Sequence, residues 1–282
     1  MQLLKEHSCW GGRQAFYEHY SDVLNCNSRF GVYFPPGVDK QVRFPTLTYL
    51  AGLTCNEETF LTKGGAQRFA AKHGIILIAP DTSPRGVGIE GEEDDWDFGT
   101  GAGFYINATN GSWANNYQME DYIAVELQQV MRQHLNVDHE RQGIFGHSMG
   151  GHGALTLSAK YPALYSSVSA FAPICSPTQC PWGHKAFTGY LGNDRETWKG
   201  HDTVELIRAM PNSERKPLFI DQGLNDEFLN DQLKPDLLEE VCKEKKHPLK
   251  IRRHENYDHS YYFIMTFMED HMDYHAKVIC SG

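Results

Sequence analysis

The 282-residue sequence has no run that approaches the ~20 consecutive apolar residues of a membrane-spanning helix. It also lacks a basic surplus, because 36 Asp and Glu outnumber 26 Lys and Arg and give a formal net charge of -10. No stripe of Lys and Arg is present, and nucleic-acid binding needs a basic face. We therefore expect neither a membrane protein nor a nucleic-acid-binding protein.

The cysteines are few and form an odd set of seven without regular spacing, so no disulfide framework is expected. Cys175 and Cys180 lack the CxxC spacing and the partners of a zinc site, and no metal is predicted. Residues 1–7 turn polar where a secretory signal would need an apolar block. The simplest interpretation is a reduced, cytoplasmic protein.

Internal repeats, low-complexity tracts and linkers are also missing. No stretch combines low hydrophobicity with the high charge of a disordered tail. Because α/β folds with one large sheet can reach this length as a single domain, we predict one domain over residues 1–282.

Short apolar runs do occur, and they alternate with longer amphipathic segments. The runs predict strands at residues 29–34, 46–50, 75–79, 143–145, 167–172, 218–221 and 249–252. The amphipathic segments predict helices at residues 62–73, 119–134, 151–160, 234–245 and 261–275. Mostly continuous apolar strands separated by helices indicate the α/β class, with a mostly parallel sheet covered on both faces.

One long excursion, residues 83–113, interrupts this alternation. Its glycines, from Gly99 to Gly103, follow an acidic segment instead of a strand, which makes a phosphate-binding loop a weak interpretation. A long loop rich in glycine and aromatic residues is more typical of one that shapes or covers a site. A solvated acidic surface is the alternative.

Residues 146–150 read Gly-His-Ser-Met-Gly, between a predicted strand and a predicted helix. This GxSxG pattern indicates a nucleophile elbow, in which a strained turn lifts a serine above the sheet edge. Gly146 and Gly150 would give the room that the turn needs, and Ser148 would be the nucleophile. A flexible glycine turn is the alternative.

A serine nucleophile needs a base to take its proton and an acid to orient that base. In α/β-hydrolases the acid and then the histidine follow the serine in the chain. Asp226 lies in a loop after the strand at 218–221, and His259 lies between the last strand and an aromatic helix. We therefore predict the triad Ser148, Asp226 and His259. A turn residue for Asp226 and a loop or capping residue for His259 are the alternatives.

The remaining candidates are weaker. His271 and His275 have helical i, i+4 spacing but no HExxH glutamate, and we interpret them as an exposed helix face. His152 precedes the acid and cannot complete the expected order. The oxyanion that forms on acyl transfer needs two backbone N–H donors, which by position fall on Met149 and Leu53.

Several segments around these residues resemble one family. They include Gly52–Cys55, Ala79–Gly86, Asp95–Tyr105, Phe145–Ala154, Phe171–Cys175, Cys180–Gly183 and Tyr257–Phe263. They are similar to S-formylglutathione hydrolase, also called esterase D, over nearly the whole chain. The resemblance implies the α/β-hydrolase fold, a cytoplasmic thioesterase that hydrolyses S-formylglutathione in formaldehyde detoxification, and a homodimer. It also implies the triad and the oxyanion donors just named.

The resemblance further implies that no metal or organic cofactor is needed and that Cys55 lies close to the active site, although a small buried packing residue is the simpler interpretation of this cysteine. Trp96, Phe98, Trp182 and Phe187 are candidate walls of an acyl pocket, with core packing as the alternative. Lys63, Arg85 and Lys185 lie in or near candidate loops and could face an anionic substrate, although ordinary surface solvation is the alternative. A general carboxylesterase, an acyltransferase or a non-catalytic binding protein on the same scaffold stay open.

Overall fold

The computed structural model describes residues 1–38 and 43–281, and its central feature is a nine-stranded sheet. The strands are β1 (Gln2–Cys9), β2 (Gly12–Ser21), β3 (Cys26–Phe34), β4 (Phe44–Leu50), β5 (Ile76–Pro80), β6 (Val137–His147), β7 (Ser167–Phe171), β8 (Leu218–Gly223) and β9 (Leu249–His254). They lie in the order β1-β2-β3-β5-β4-β6-β7-β8-β9.

The parallel part of this mixed sheet runs from β5 to β9. The first three strands form an antiparallel meander that joins it through β3 and β5. β5, β7 and β8 are buried along their whole length, as expected for parallel strands that are covered on both faces. Because parallel strands end at one edge, the loops after β4, β6 and β8 meet there.

The α-helical segments are α1 (Thr59–Lys63), α2 (Gln67–His73), α3 (Met119–Asp121), α4 (Leu127–His134), α5 (Met149–Lys160), α6 (Pro181–Leu191), α7 (Arg195–Trp198), α8 (Thr203–Ala209), α9 (Pro235–Lys245) and α10 (Tyr261–Ile279). A π-helical turn, Tyr122–Glu126, joins α3 to α4. Across the two described ranges, no helix is both long and apolar enough to cross a bilayer.

Helices cover both faces of the sheet, as neighbouring residues of β7 show. The Ser169 hydroxyl lies 2.8 Å from His271 Nδ1 on α10, whereas a Cβ placed on Gly151 of α5 would lie 3.3 Å from the Cβ of Ala170. Successive strand residues point to opposite faces, so α5 and α10 pack on opposite sides. The prediction of an α/β fold covered on both faces is confirmed.

All seven predicted strands are present, with small shifts at their ends and a longer β6. The antiparallel hairpin of β1 and β2 was not predicted. Nearly every residue of β1 is exposed, and β2 mixes charged, polar and aromatic residues, so neither strand gives a continuous apolar run. Hydrogen bonding to β3 stabilises β2 as a strand, although the local sequence of β2 does not predict one.

Two helix predictions need correction. The helix expected at residues 62–73 is two helices, α1 and α2, because Gly64 and Gly65 separate them and Gly65 has φ +65°. The segment from α6 to α8 was not predicted as helical.

His271 and His275 are fully buried against the sheet, so the exposed helix face expected for them is wrong. Their ring nitrogens bond to serine hydroxyls of β7, which offsets the cost of burying them.

Candidate active site

Ser148 lies in a sharp turn between the end of β6 and the first residue of α5. Its φ and ψ are 57° and -119°, a strained region for a residue with a side chain. The turn leaves no space on either side: a Cβ on Gly146 would lie 2.2 Å from the carbonyl oxygen of Gly150, and one on Gly150 would lie 1.9 Å from that of Leu50. The two glycines are therefore required sterically, and the geometry is that of a nucleophile elbow.

Asp226 and His259 form a close pair beside this turn. Asp226 Oδ2 lies 2.5 Å from His259 Nδ1, although 33 residues separate them in sequence. Asp226 also accepts hydrogen bonds from the backbone N–H of Phe228 at 2.9 Å and from Gln222 Nε2 at 3.3 Å. A carboxylate at Nδ1 holds the proton on that nitrogen, which leaves Nε2 as an acceptor. This is the tautomer that a general base needs.

The His259 ring is held between two other rings. The ring of Phe228 meets it edge-on at a centroid distance of 5.0 Å, and the ring of His147 lies 4.3 Å away. Burial lowers the pKa of His147 well below its usual range, and the neighbouring His259 lowers it further. His147 therefore stays neutral and adds no positive charge beside an imidazolium that would form on His259.

A pocket of about 240 Å³ brings the predicted site residues together. Its lining combines the candidate nucleophile and base with aromatic and small residues: Gly52, Leu53, Thr54, Cys55, Trp96, His147, Ser148, Trp182, Phe228, His259, Ser260 and Tyr261. Asp226 lies behind His259, with its side chain fully buried. The predicted substrate-binding residues Cys55, Trp96 and Trp182 all reach this pocket.

The two candidate oxyanion donors belong to the residue after Ser148 and to the loop after β4. Met149 is the first residue of α5, so its N–H has no carbonyl partner within the helix. Leu53 lies in the loop after β4, where a Cβ on Gly52 would come within 3.2 Å of the Ser148 Cβ. The loop thus approaches the nucleophile as closely as a glycine permits.

The long excursion at residues 83–113 helps to hold this loop. The Tyr105 hydroxyl donates to the carbonyl oxygen of Ala51 at 2.8 Å, and the N–H of Thr54 donates to that of Gly101 at 2.9 Å. Arg85 Nη2 reaches the carbonyl oxygen of Cys55 at 3.1 Å. The excursion therefore fixes the position of the loop after β4, and its Trp96 lines the pocket.

Cys55 contributes its side chain to the pocket as a neutral thiol. Burial raises the pKa of this thiol above its usual value, against smaller effects of neighbouring hydrogen bonds and of Lys63. Since the thiolate is the reactive form of cysteine, the environment disfavours Cys55 as a nucleophile. Its position suits packing against a bound substrate.

The four candidate wall aromatics separate into two pairs. Trp96 and Trp182 meet edge-to-face at 5.7 Å and line the pocket. Phe98 stacks on Tyr190 at 4.6 Å, and Phe187 packs against Trp198 at 5.8 Å. Neither phenylalanine lines the pocket as the structure describes it, so their interpretation as walls is wrong. Sequence reasoning missed Phe228 in this role, although its place two residues after Asp226 was a usable signal.

His254 and His152, which the sequence also offers, do not line the pocket. His254 Nε2 lies 3.1 Å from Asp221 Oδ1, within the sheet. His152 is fully buried in α5, and burial lowers its pKa to about 3. Neither residue is positioned to exchange a proton with Ser148.

Comparison of the chain with known proteins identifies its family. The profile of the family described as "Putative esterase" matches residues 21–274. The chain is 51% identical to the S-formylglutathione hydrolase of Mus musculus over 280 residues, which cover 99% of both chains. It belongs to the S-formylglutathione hydrolase family. The family is also called esterase D, and its α/β-hydrolase fold accounts for the elbow after β6.

A plant member and a bacterial structure extend the comparison. The S-formylglutathione hydrolase of Arabidopsis thaliana is 50% identical over 264 residues, 93% of this chain and 92% of its own. The solved structure of an S-formylglutathione hydrolase from Agrobacterium tumefaciens superposes with a TM-score of 0.95 at 42% identity. It covers 99% of this chain and 100% of the bacterial one. The resemblance read from the sequence motifs is therefore confirmed.

Proposed function

We propose that this chain is a serine hydrolase that converts S-formylglutathione and water into glutathione and formate, a step of formaldehyde detoxification. One observation carries the proposal: Ser148 and His259 line one pocket, with Asp226 bonded to His259, in a chain half identical to S-formylglutathione hydrolases over its full length. Membership of an esterase family supports additional activity on short-chain esters.

In the first half of the reaction, His259 Nε2 takes the proton of the Ser148 hydroxyl as Oγ attacks the formyl carbon. The backbone N–H groups of Leu53 and Met149 donate to the oxyanion of the tetrahedral intermediate. The carbon–sulfur bond then breaks, and His259 returns the proton to sulfur, so that glutathione leaves as its thiol. Ser148 keeps the formyl group as an ester.

In the second half, His259 removes a proton from a water molecule that attacks the formyl ester. The tetrahedral intermediate collapses, Ser148 recovers its proton from His259, and formic acid leaves and loses its remaining proton to solvent to give formate. Asp226 stays ionised throughout and stabilises the imidazolium that forms twice per turnover. His259 therefore acts as base and then as acid in each half, and the cycle returns the enzyme to its starting state.

The test compares kcat/KM for S-formylglutathione with kcat/KM for short carboxylic esters, in the natural protein and in Ser148→Ala. We expect the thioester to be the better substrate and Ser148→Ala to lose at least 10⁴-fold in kcat. A clear preference for esters would remove the detoxification role. Unchanged thioesterase activity in Ser148→Ala would remove the serine mechanism itself.

We further propose that the protein works in the cytoplasm as a homodimer that acts on a small molecule and not on nucleic acid. All seven cysteines are free thiols, which suits a reducing compartment. The net charge of -10 opposes contact with phosphate backbones. Sedimentation equilibrium tests the dimer, and cell fractionation tests the compartment.

A further inference from the structure

A second depression adjoins the catalytic pocket. It has a volume of about 560 Å³ and is lined by Lys63, Ser260, Tyr261, Tyr262 and Met265. We call it the Lys63 groove. Because Ser260 and Tyr261 line both the catalytic pocket and the groove, the two spaces adjoin at these residues.

The catalytic pocket alone is small for the proposed substrate. Its volume is about 240 Å³, whereas pockets that enclose drug-sized ligands have roughly 300–1,000 Å³. Formyl is the smallest acyl group, and nearly all of S-formylglutathione is the peptide on the sulfur side. Since Ser148 meets the formyl carbon inside the pocket, the peptide must extend beyond it. The Lys63 groove brings the combined volume into the required range.

Charge separates Lys63 from the other two cations that the sequence places near the site. Arg85 is held by Asp81, with Nε 2.7 Å from Oδ2 and Nη2 2.8 Å from Oδ1. Lys185 is paired with Asp95 at 3.0 Å and also with Asp97. Both charges are already neutralised by carboxylates.

Lys63 differs from both, because within residues 1–38 and 43–281 no carboxylate forms an ion pair with it. Its side chain is exposed, and its ammonium lies 5.9 Å from the ring centroid of Tyr261, the residue that divides the two spaces. A cation–π contact at this distance holds the ammonium at the rim of the groove and leaves its charge open to an anion.

We propose that the Lys63 groove binds the peptide part of the thiol leaving group, with the Lys63 ammonium paired to a glutathione carboxylate. The exposed side chains of Tyr262 and Met265 would cover the carbon chain of that peptide. This inference rests on the proposed function. It explains how a protein with a net charge of -10 accepts an anionic substrate, since Lys63, which pairs with no carboxylate of the described residues, lines the space beside the catalytic pocket.

The experiment measures KM and kcat for S-formylglutathione and for neutral p-nitrophenyl acetate in Lys63→Met, Lys63→Glu and Lys63→Arg. The matched control is Lys277→Glu, which makes the same change of charge at an exposed position about 24 Å from Tyr261 along α10. Exposed ion pairs are weak, so we expect about a fivefold rise in KM for the thioester in Lys63→Met.

We expect about a twentyfold rise in Lys63→Glu, because repulsion replaces attraction, and less than a twofold change in Lys63→Arg. The kcat for the thioester, both constants for the neutral ester and all constants of Lys277→Glu should stay within twofold. Added salt should narrow the gap between the natural protein and Lys63→Glu.

An unchanged thioester KM in Lys63→Glu overturns the proposal. Equal losses on both substrates overturn it as well, since they indicate a structural role. A Lys63→Met variant altered only in its preference among ester acyl lengths would assign the groove to the acyl chain instead.

Inhibition of ester hydrolysis by free glutathione separates this proposal from the proposed function. If the natural protein fails to hydrolyse S-formylglutathione, the proposed function fails. The groove is then judged by whether Lys63→Glu weakens glutathione inhibition about twentyfold. Blocking the glycyl carboxylate of glutathione as its ethyl ester shows which of its two carboxylates Lys63 pairs with.

Discussion

Two sets of a serine, a histidine and an aspartate can be compared among the residues that the structure describes, and they differ in what surrounds them. In one, Asp226 holds His259 beside Ser148 at the pocket. In the other, which we call the inner cluster, Ser169 Oγ lies 2.8 Å from His271 Nδ1, and His271 Nε2 lies 3.2 Å from Asp221 Oδ2. All three side chains of the inner cluster are fully buried.

The two sets differ in the charges around the aspartate as well as in their exposure to the pocket. Arg252 binds Asp221 with both arms of its guanidinium, at 2.6 and 2.5 Å. Burial acts to raise the pKa of Asp221, but the bonds from Arg252, His271 and His254 outweigh burial and hold it below its usual range. Because Arg252 largely neutralises the negative charge of Asp221, this carboxylate would stabilise an imidazolium only weakly. We therefore expect the inner cluster to contribute to stability and not to catalysis.

The largest expected effect comes from replacing Asp226, the acid of the predicted triad. Asp226→Asn should lower kcat about 10⁴-fold, because an amide at Nδ1 no longer selects the tautomer that leaves Nε2 free. The melting temperature should change little, since the amide keeps the volume of the carboxylate. Steady-state kinetics and thermal unfolding check the two halves, and a loss in kcat below tenfold would contradict the assignment of Asp226.

The same substitution in the inner cluster should act on stability. Asp221→Asn leaves Arg252 without its buried partner and should lower the free energy of unfolding by about 3 kcal/mol. The folded variant should keep its kcat. Urea denaturation measures the loss, with Asp270→Asn as the control, because Asp270 is the exposed partner of the same arginine. Equal losses in the two variants would show that burial of Asp221 is not the cause.

A third histidine tests burial without a catalytic partner. Burial lowers the pKa of His152 to about 3, against about 6.5 in the unfolded chain. Below pH 6.5 the unfolded chain binds a proton that the folded chain does not, so stability is complete above pH 6.5 and falls toward pH 3. By pH 5 the loss from His152 should be about 2 kcal/mol. His152→Leu should reduce the difference in unfolding free energy between pH 7 and pH 5 by that amount, and an unchanged difference would contradict the buried neutral histidine.

The smallest expected effect is that of Ser169→Ala. Removing this hydroxyl leaves ring nitrogens of His271 and His275 short of one partner and should cost about 1 kcal/mol of stability. The kcat should stay within twofold of the natural value, in contrast to Ser148→Ala. A large loss of activity with intact stability would mean that the inner cluster takes part in the reaction.

Much of the site could be predicted because its residues follow chain order. Ser148 is predicted from its two glycines, Asp226 from its place after β8 and His259 from its place between β9 and α10. The structure places Ser148 and His259 in one pocket and Asp226 in contact with His259. The walls were harder to predict. Trp96 and Phe98 are two residues apart in the same loop, yet one lines the pocket and the other packs on Tyr190. Nothing local distinguishes them.

The inner cluster shows the same limit. The i, i+4 spacing of His271 and His275 indicated one helix face correctly but did not say whether that face meets water or the sheet. That face meets the sheet, because the hydroxyls of Ser167 and Ser169 on β7 form hydrogen bonds with the two histidine rings. These partners are more than 100 residues away in the chain, so only the fold brings them together.

The sequence by itself determined the alternation of strands and helices, the elbow at Ser148 and the family, because each is written in local pattern or in motifs of fixed spacing. Tertiary structure alone decided which histidines are buried, which aromatic side chains reach the pocket and which of Lys63, Arg85 and Lys185 has no carboxylate partner in the part of the chain that the structure describes. Those outcomes depend on distances between residues far apart in the chain, and burial and ion pairing are properties of such distances.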